Sequence, residues 1–217
     1  MERATVTVEG RVAAGACRKT ARAAAVAAMF GVPPAQTCER ILFHPVTLDV
    51  GPGEVILITG PSGAGKSTLL RALADALRRH NLRVMNLDAV TAPADLPAVD
   101  CFSCDLADAL SHLGRAGLSE ASLLLRSPAE FSEGQRFRYR LAVFFASDAE
   151  VLVADEFCAT LDRLTARVVA WQIGKFARSA GRAVIVATTH EDLAADLQPT
   201  LHLHKGLGDE LTIGGAA

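Results

Sequence analysis

Four runs of apolar residues punctuate the chain: EVILIT at 54–59, RVMNL at 83–87, EVLVAD at 150–155 and RAVIVAT at 182–188. Each is nearly continuous rather than alternating, the pattern of a strand covered on both faces in a parallel sheet. Stretches with helical patterning separate them, at 66–80, 105–115, 135–147 and 163–180. This alternation predicts an α/β architecture, a mainly parallel sheet flanked by helices, with ligands bound beyond the carboxyl ends of the strands. The N-terminal part has a different texture. Thr5, Val6, Thr7 and Val8 alternate and predict an edge strand; 17–30 is alanine-rich and reads as a helix stopped by Gly-Val-Pro-Pro at 31–34; 46–50 reads as a strand entering a Gly-Pro-Gly-Glu turn. No internal repeat or low-complexity linker divides the chain. The expectation is one domain over 1–217, with an N-terminal antiparallel β/helix segment over 1–50 and a reduced helical subdomain over 92–145.

Composition narrows the class. The chain has 217 residues, 50% hydrophobic and 21% charged, with a formal charge of −2, which gives no global argument for a nucleic-acid or membrane partner. No apolar run reaches the roughly 18 residues of a membrane span, and the N-terminus lacks the layout of a secretory signal. Five cysteines at irregular spacing make no disulfide framework. A cytoplasmic location is expected. Cys101 and Cys104, in DCFSCD, have metal-knuckle spacing but no second ligand pair to complete a zinc site, so two partly buried thiols are the plainer reading.

The chemistry gathers after the strands. The first run is followed by GPSGAGKST: Gly60, Pro61, Ser62, Gly63, Ala64, Gly65, Lys66, Ser67 and Thr68. This is G-x-x-x-x-G-K-[ST] between a predicted strand and a predicted helix, the context that a phosphate-binding loop requires. Its glycines let backbone N–H groups close around phosphate oxygens, and the helix N-terminus adds partial positive charge. Lys66 would bridge β- and γ-phosphates and Ser67 would ligate Mg²⁺. The third run ends in Asp155 and Glu156. The aspartate can hold the Mg²⁺ shell, and the glutamate can orient an attacking water and accept its proton. CATLD follows, ending at Asp162, and the fourth run ends in ATTH, at His190. Ahead of them lies FSEGQ, with Ser132, Gly134 and Gln135 at a predicted helix start.

In this order the elements resemble the ATP-binding cassette (ABC) ATPases from Ile41 to His190. The resemblance implies ATP hydrolysis with Mg²⁺ in a head-to-tail homodimer. Gly60 to Thr68 would bind triphosphate, Ser67 and Asp155 would serve the metal, and Lys66, Glu156 and His190 would be catalytic. Ser132, Gly134 and Gln135 would reach the partner's nucleotide, and Asp162 would contact the opposing monomer. FSEGQ departs from the family's LSGGQ at Phe131 and Glu133. A carboxylate near phosphate would be repelled, so Glu133 is expected to point away as a first-turn acid. Arg136, Arg138 and Arg140 are expected to serve solvation and local pairing.

Two further departures bear on function. No glutamine lies between Ser67 and Phe131, so the family's Q-loop residue is missing and Asp100 is a candidate substitute. The interval from Lys66 to Ser132 is short for a transporter subunit. The C-terminal half looks most like non-transporter ABC ATPases that occur fused to a predicted acetyltransferase domain, of which no segment is present. The favoured expectation is a cytoplasmic ATP hydrolase acting as a dimerising conformational switch on a protein or nucleic-acid partner, with a membrane permease the lesser alternative. A transporter's nucleotide-binding subunit, a non-hydrolysing ATP-binding module and a P-loop small-molecule kinase are the competing readings. For the adenine contact Phe30 and Phe43 are the aromatic candidates.

Overall fold

The computed structural model describes residues 1–13, 20–31 and 39–215. Six strands form one sheet in the order β4 (Val84–Asn86), β5 (Val151–Ala154), β6 (Ala183–Ala187), β3 (Val55–Thr59), β7 (Leu201–Lys205) and β8 (Leu211–Gly215). The first five run parallel, and only β8 is antiparallel to its neighbour. Every residue of β3, β5 and β6 is buried, which is why their sequences show no alternation.

Alternate residues of those strands feed two apolar cores. Val55, Leu57, Leu152, Ala154, Val184 and Val186 face the layer of α5 (Glu133–Ala146) and α6 (Arg163–Ala180). Ile56, Ile58, Val151, Val153, Ala183 and Ile185 face α2 (Lys66–Arg79) and a separate hairpin. That hairpin pairs β1 (Ala4–Ala13) with β2 (Glu39–Val50), antiparallel, and packs on α2. Helix α2 buries Leu69, Leu70, Leu73, Ala74 and Leu77 and ends on Arg78 and Arg79, cations favoured by the helix dipole. Helix α6 starts on Asp162, whose carboxylate accepts the Thr165 N–H, and stops at left-handed Gly181. Each fully buried Val, Leu or Ile side chain contributes about 1.5–3 kcal/mol relative to exposure. The two-sided covering of the sheet is therefore the main stabilising term.

The interval between β4 and α5 folds as 3₁₀ turns at Ala98–Cys101 and Pro128–Glu130, with α3 (Leu106–Arg115) and the single turn α4 (Ala121–Leu124). Of the predicted helix at 17–30, the described part is α1 (Ala21–Met29), capped by Thr20 and burying none of its residues. The stretch before Thr20 and the prolines at 33 and 34 lie outside the described residues. The strand expected at 46–50 is longer, starting at Glu39, and β7 and β8 were not anticipated. The single turn α7 (Ala194–Leu197) leads from β6 back to β7.

Phe43 is fully buried on β2 in the core beneath the hairpin, which removes it as an adenine contact, whereas Phe30 is exposed. The Phe43 ring lies over Gly10 of β1, where a Cβ would stand 2.2 Å from ring carbon Cε1. The pairing shifts register on both sides of Gly10, so the close approach is built into the hairpin. Gly10→Ala should therefore destabilise the protein by about 1–3 kcal/mol, because the buried ring cannot swing away. Urea unfolding should show a lower midpoint at unchanged m-value.

Candidate nucleotide site

Parallel pairing brings the ends of β3, β5 and β6 to one edge, and the predicted residues follow there. The loop after β3 turns through left-handed backbone at Gly60, Gly63 and Gly65. Gly60 is the tightest point: a Cβ there would stand 2.0 Å from the Lys205 carbonyl oxygen at the end of β7. Only glycine fits both the angle and the contact. Lys205 is itself buried, its ammonium donating to the carbonyls of Gly206 (2.7 Å) and Gly208 (3.0 Å), and burial pulls its pKa down. Lys66 folds back over the loop, its Nζ donating to the carbonyls of Gly60 (2.7 Å) and Pro61 (2.9 Å).

The loop, the end of β5 and the end of β6 enclose a cavity of about 360 Å³ lined by Ser62, Gly63, Lys66, Ser67, Asp155, Glu156, Ala159, Thr188 and Thr189. Asp155 Oδ1 accepts the Glu156 N–H at 3.0 Å, and Glu156 holds a left-handed φ of 44°. A hydroxyl and a carboxylate on one cavity wall are hard oxygen donors and fit a magnesium ion bound together with phosphate oxygens. Ser67 and Asp155 would hold it, and the ion would supply charge neutralisation at the phosphates. His190 follows Thr189 directly and is exposed.

Ser132, Gly134 and Gln135 do not line this cavity. They form the first turn of α5, closed as a reciprocal cap: the Gln135 N–H donates to Ser132 Oγ (3.3 Å) and the Ser132 N–H to Gln135 Oε1 (2.9 Å). The serine O–H and the glutamine NH₂ remain as donors at a helix N-terminus. Gly134 lies close to the loop after β5; a Cβ would stand 3.1 Å from Leu161 Cδ2 and 3.3 Å from the Thr160 carbonyl. Glu133 is exposed and ion-paired to Arg136 one turn on. Arg138 donates to the Gly117 carbonyl at 2.8 Å, so two of the three arginines act in local pairing. Asp162 caps α6, and the Thr165 hydrogen bonds hold its carboxyl below the usual carboxylate range.

The acid beside Asp155 is Asp88, not the Asp100 that the sequence singled out. Asp88 Oδ2 accepts the Asp155 N–H at 3.2 Å, while Asp100 sits in the turn at Ala98–Cys101. Desolvation pushes the Asp88 carboxyl up and the charge of Asp155 adds to that, while the Asp155 amide and Arg140 on α5 oppose it. The signal was present in the sequence, an acid two residues past a strand that neighbours the Asp155 strand. Cys101 donates to the Pro97 carbonyl (3.2 Å) and Cys104 is exposed.

Fold and site together define a P-loop ATPase whose phosphate-loop cavity and Ser132–Gln135 turn, the place of the family's LSGGQ signature, lie apart in one chain. The sequence model described as "ABC transporter" matches residues 43–159, and the chain belongs to that family. As a member it is an ATPase that uses ATP with Mg²⁺. It is 31% identical to the cytochrome c biogenesis ATP-binding export protein of Tatumella citrea, over 71% of this chain and 84% of that protein. It is 28% identical to the lipoprotein-releasing system ATP-binding protein of Novosphingobium aromaticivorans, over 75% of this chain and 87% of that one. In fold it is similar to a dimeric bacterial ABC transporter cassette, with a TM-score of 0.65 at 19% identity over 83% of this chain and 93% of that one. These relatives are named for export or release, which shifts the balance away from the sequence expectation that a permease is the lesser alternative.

Because Glu133 is spent on Arg136, Glu133→Ala should leave ATP hydrolysis within about twofold and stability within about 0.5 kcal/mol, as for an exposed helical pair. Gly134→Ala should instead cut hydrolysis by about tenfold or more, because the added methyl pushes the signature turn off Leu161. Steady-state ATPase assays with thermal melts check both.

Proposed function

We propose that this chain is the ATP-hydrolysing nucleotide-binding subunit of a membrane transporter, working as a head-to-tail homodimer. The observation that carries the dimer is the division of the site. Each chain offers the Gly60–Thr68 loop with Asp155 and Glu156 in one cavity, and a capped, donor-bearing signature turn elsewhere. In the closed pair the loop, led by Lys66, holds the triphosphate. Ser67 and Asp155 hold magnesium, Glu156 orients and deprotonates water, and His190 contacts the γ-phosphate. Ser132, Gly134 and Gln135 of each copy donate to the nucleotide of the other, and Asp162 touches the opposing copy. What supports a permease as partner is the naming of the relatives, one as an ATP-binding export protein and one as the ATP-binding protein of a lipoprotein-releasing system. Among the described residues no helix is long and apolar enough to cross a membrane. On this reading the subunit sits at the cytoplasmic face against membrane-embedded partners.

One observation favours a second reading. The interval from Lys66 to Ser132 is short and lacks glutamine beyond Ser67, as expected of a switch acting on a cytoplasmic protein or nucleic acid, of the kind fused to acetyltransferase domains.

Glu156→Gln should trap an ATP-bound dimer, seen by light scattering as a doubling of mass on adding Mg²⁺-ATP, and Ser132→Arg should abolish it. A persistent monomer would sink the composite site. Affinity purification from detergent-solubilised host cells separates the partners: a polytopic membrane protein should co-purify with the chain. Stimulation of the ATPase by DNA or RNA, with no such protein, would transfer the assignment to the switch.

A further inference from the structure

Two loops carry the groups assigned to water and to the γ-phosphate, one following β5 and one following β6. A single buried hydroxyl joins them. Thr188 is 1% exposed, and its N–H donates to the Ile58 carbonyl (3.0 Å), carrying the β3–β6 pairing one residue past β6. Its Oγ1 donates to the Phe157 carbonyl (3.1 Å) and accepts the His190 N–H (3.1 Å). The Phe157 N–H in turn donates to the Ala187 carbonyl (2.8 Å). The main chain of Phe157 is thus held on both sides, its N–H by the last residue of β6 and its carbonyl by the residue after it. Its ring is fully buried, edge-on to Phe137 at 5.8 Å.

That grip falls where the backbone is least at ease. Glu156 at φ 44° and Cys158 at φ 62° are both left-handed, on either side of Phe157. Non-glycine residues keep such angles only where the surroundings over-determine them. Without the hydroxyl, the Phe157 carbonyl and the His190 N–H lose their partner together, and the remaining bond from the Phe157 N–H reaches only Ala187, at the end of β6 and short of the histidine.

We propose that Thr188 is a positioning residue for hydrolysis, its hydroxyl setting Glu156 and His190 against the phosphate loop. The proposal rests on the reading that these two residues serve turnover. Thr188→Val keeps the branched shape but can neither donate nor accept. It should lower kcat for ATP by about 10–100-fold with KM for Mg²⁺-ATP within about twofold, the loss of an interaction that matters only in the transition state. Thr188→Ser should restore kcat to within about threefold of the parent, and Thr188→Cys, a weaker donor and acceptor, should fall between Ser and Val. Amide exchange gives a readout independent of turnover: the His190 N–H should lose protection in the Val variant and keep it in the Ser variant.

A Val variant with parental kcat and a protected His190 N–H would overturn the proposal. So would a Ser variant no better than Val, or a KM that rises in step with the loss of kcat. If the parent turns over no faster than Glu156→Gln, the hydrolysis reading fails instead, and the exchange data still decide whether the hydroxyl holds the two loops.

Discussion

The parallel register of β3, β5 and β6 is the constraint on which the rest depends. Ile58 pairs with Ala187, and Val153 with Ile185. One or two residues past these pairs, the chain delivers Gly60, Asp155 and Thr188 to the same edge. No loop has to reach for its place, because strands of equal direction end together and the helices that follow fold back over opposite faces. The neighbouring β7 closes the arrangement from the side. Its Lys205 carbonyl stands where a side chain at Gly60 would be, so the loop's first glycine answers to the sheet as much as to phosphate.

The same geometry sets the first turn of α5 apart from the phosphate loop. Helix α5 reaches the sheet through Leu141, Ala142, Phe144 and Phe145, which leaves its first turn at the far end of the rod. There Ser132 and Gln135 satisfy each other's main-chain N–H as a cap. The turn therefore exists before any partner arrives. What remains unspent, the serine proton and the amide NH₂, is the chemistry that suits a phosphate. Pre-formation of this kind lowers the ordering cost of association.

Much of this was legible beforehand. The four central strands were readable to within two residues because continuous apolar runs have few other uses, and the strand-tip carboxylates stood out because charge there is costly without a task. The C-terminal pair was missed for the converse reason. In β7 histidines alternate with leucines, which looks polar in sequence. In the fold His202 Nε2 and His204 Nδ1 lie 2.8 and 3.2 Å from Thr59 Oγ1, a satisfied polar face. Phe43 could not be told from a surface aromatic, since its burial depends on a register shift opposite Gly10. Thr188 was invisible in another way. Its role is made of hydrogen bonds to main-chain atoms of residues 31 apart and of its near neighbour, and no side-chain motif records them.

Asp88 puts an acid against the Asp155 main chain. A glutamine can accept from the Asp155 N–H and also donate, whereas an ionised carboxylate only accepts. Next to Asp155 it also adds like charge, and desolvation makes that charge harder to carry. The chain offsets this locally with the Asp155 amide on one side and Arg140 of the signature helix on the other. Any divalent cation at Asp155 relieves the same repulsion. The contact of Asp88 with Asp155 thus rests on charge balance, and Arg140 carries that balance into the helix capped by Ser132.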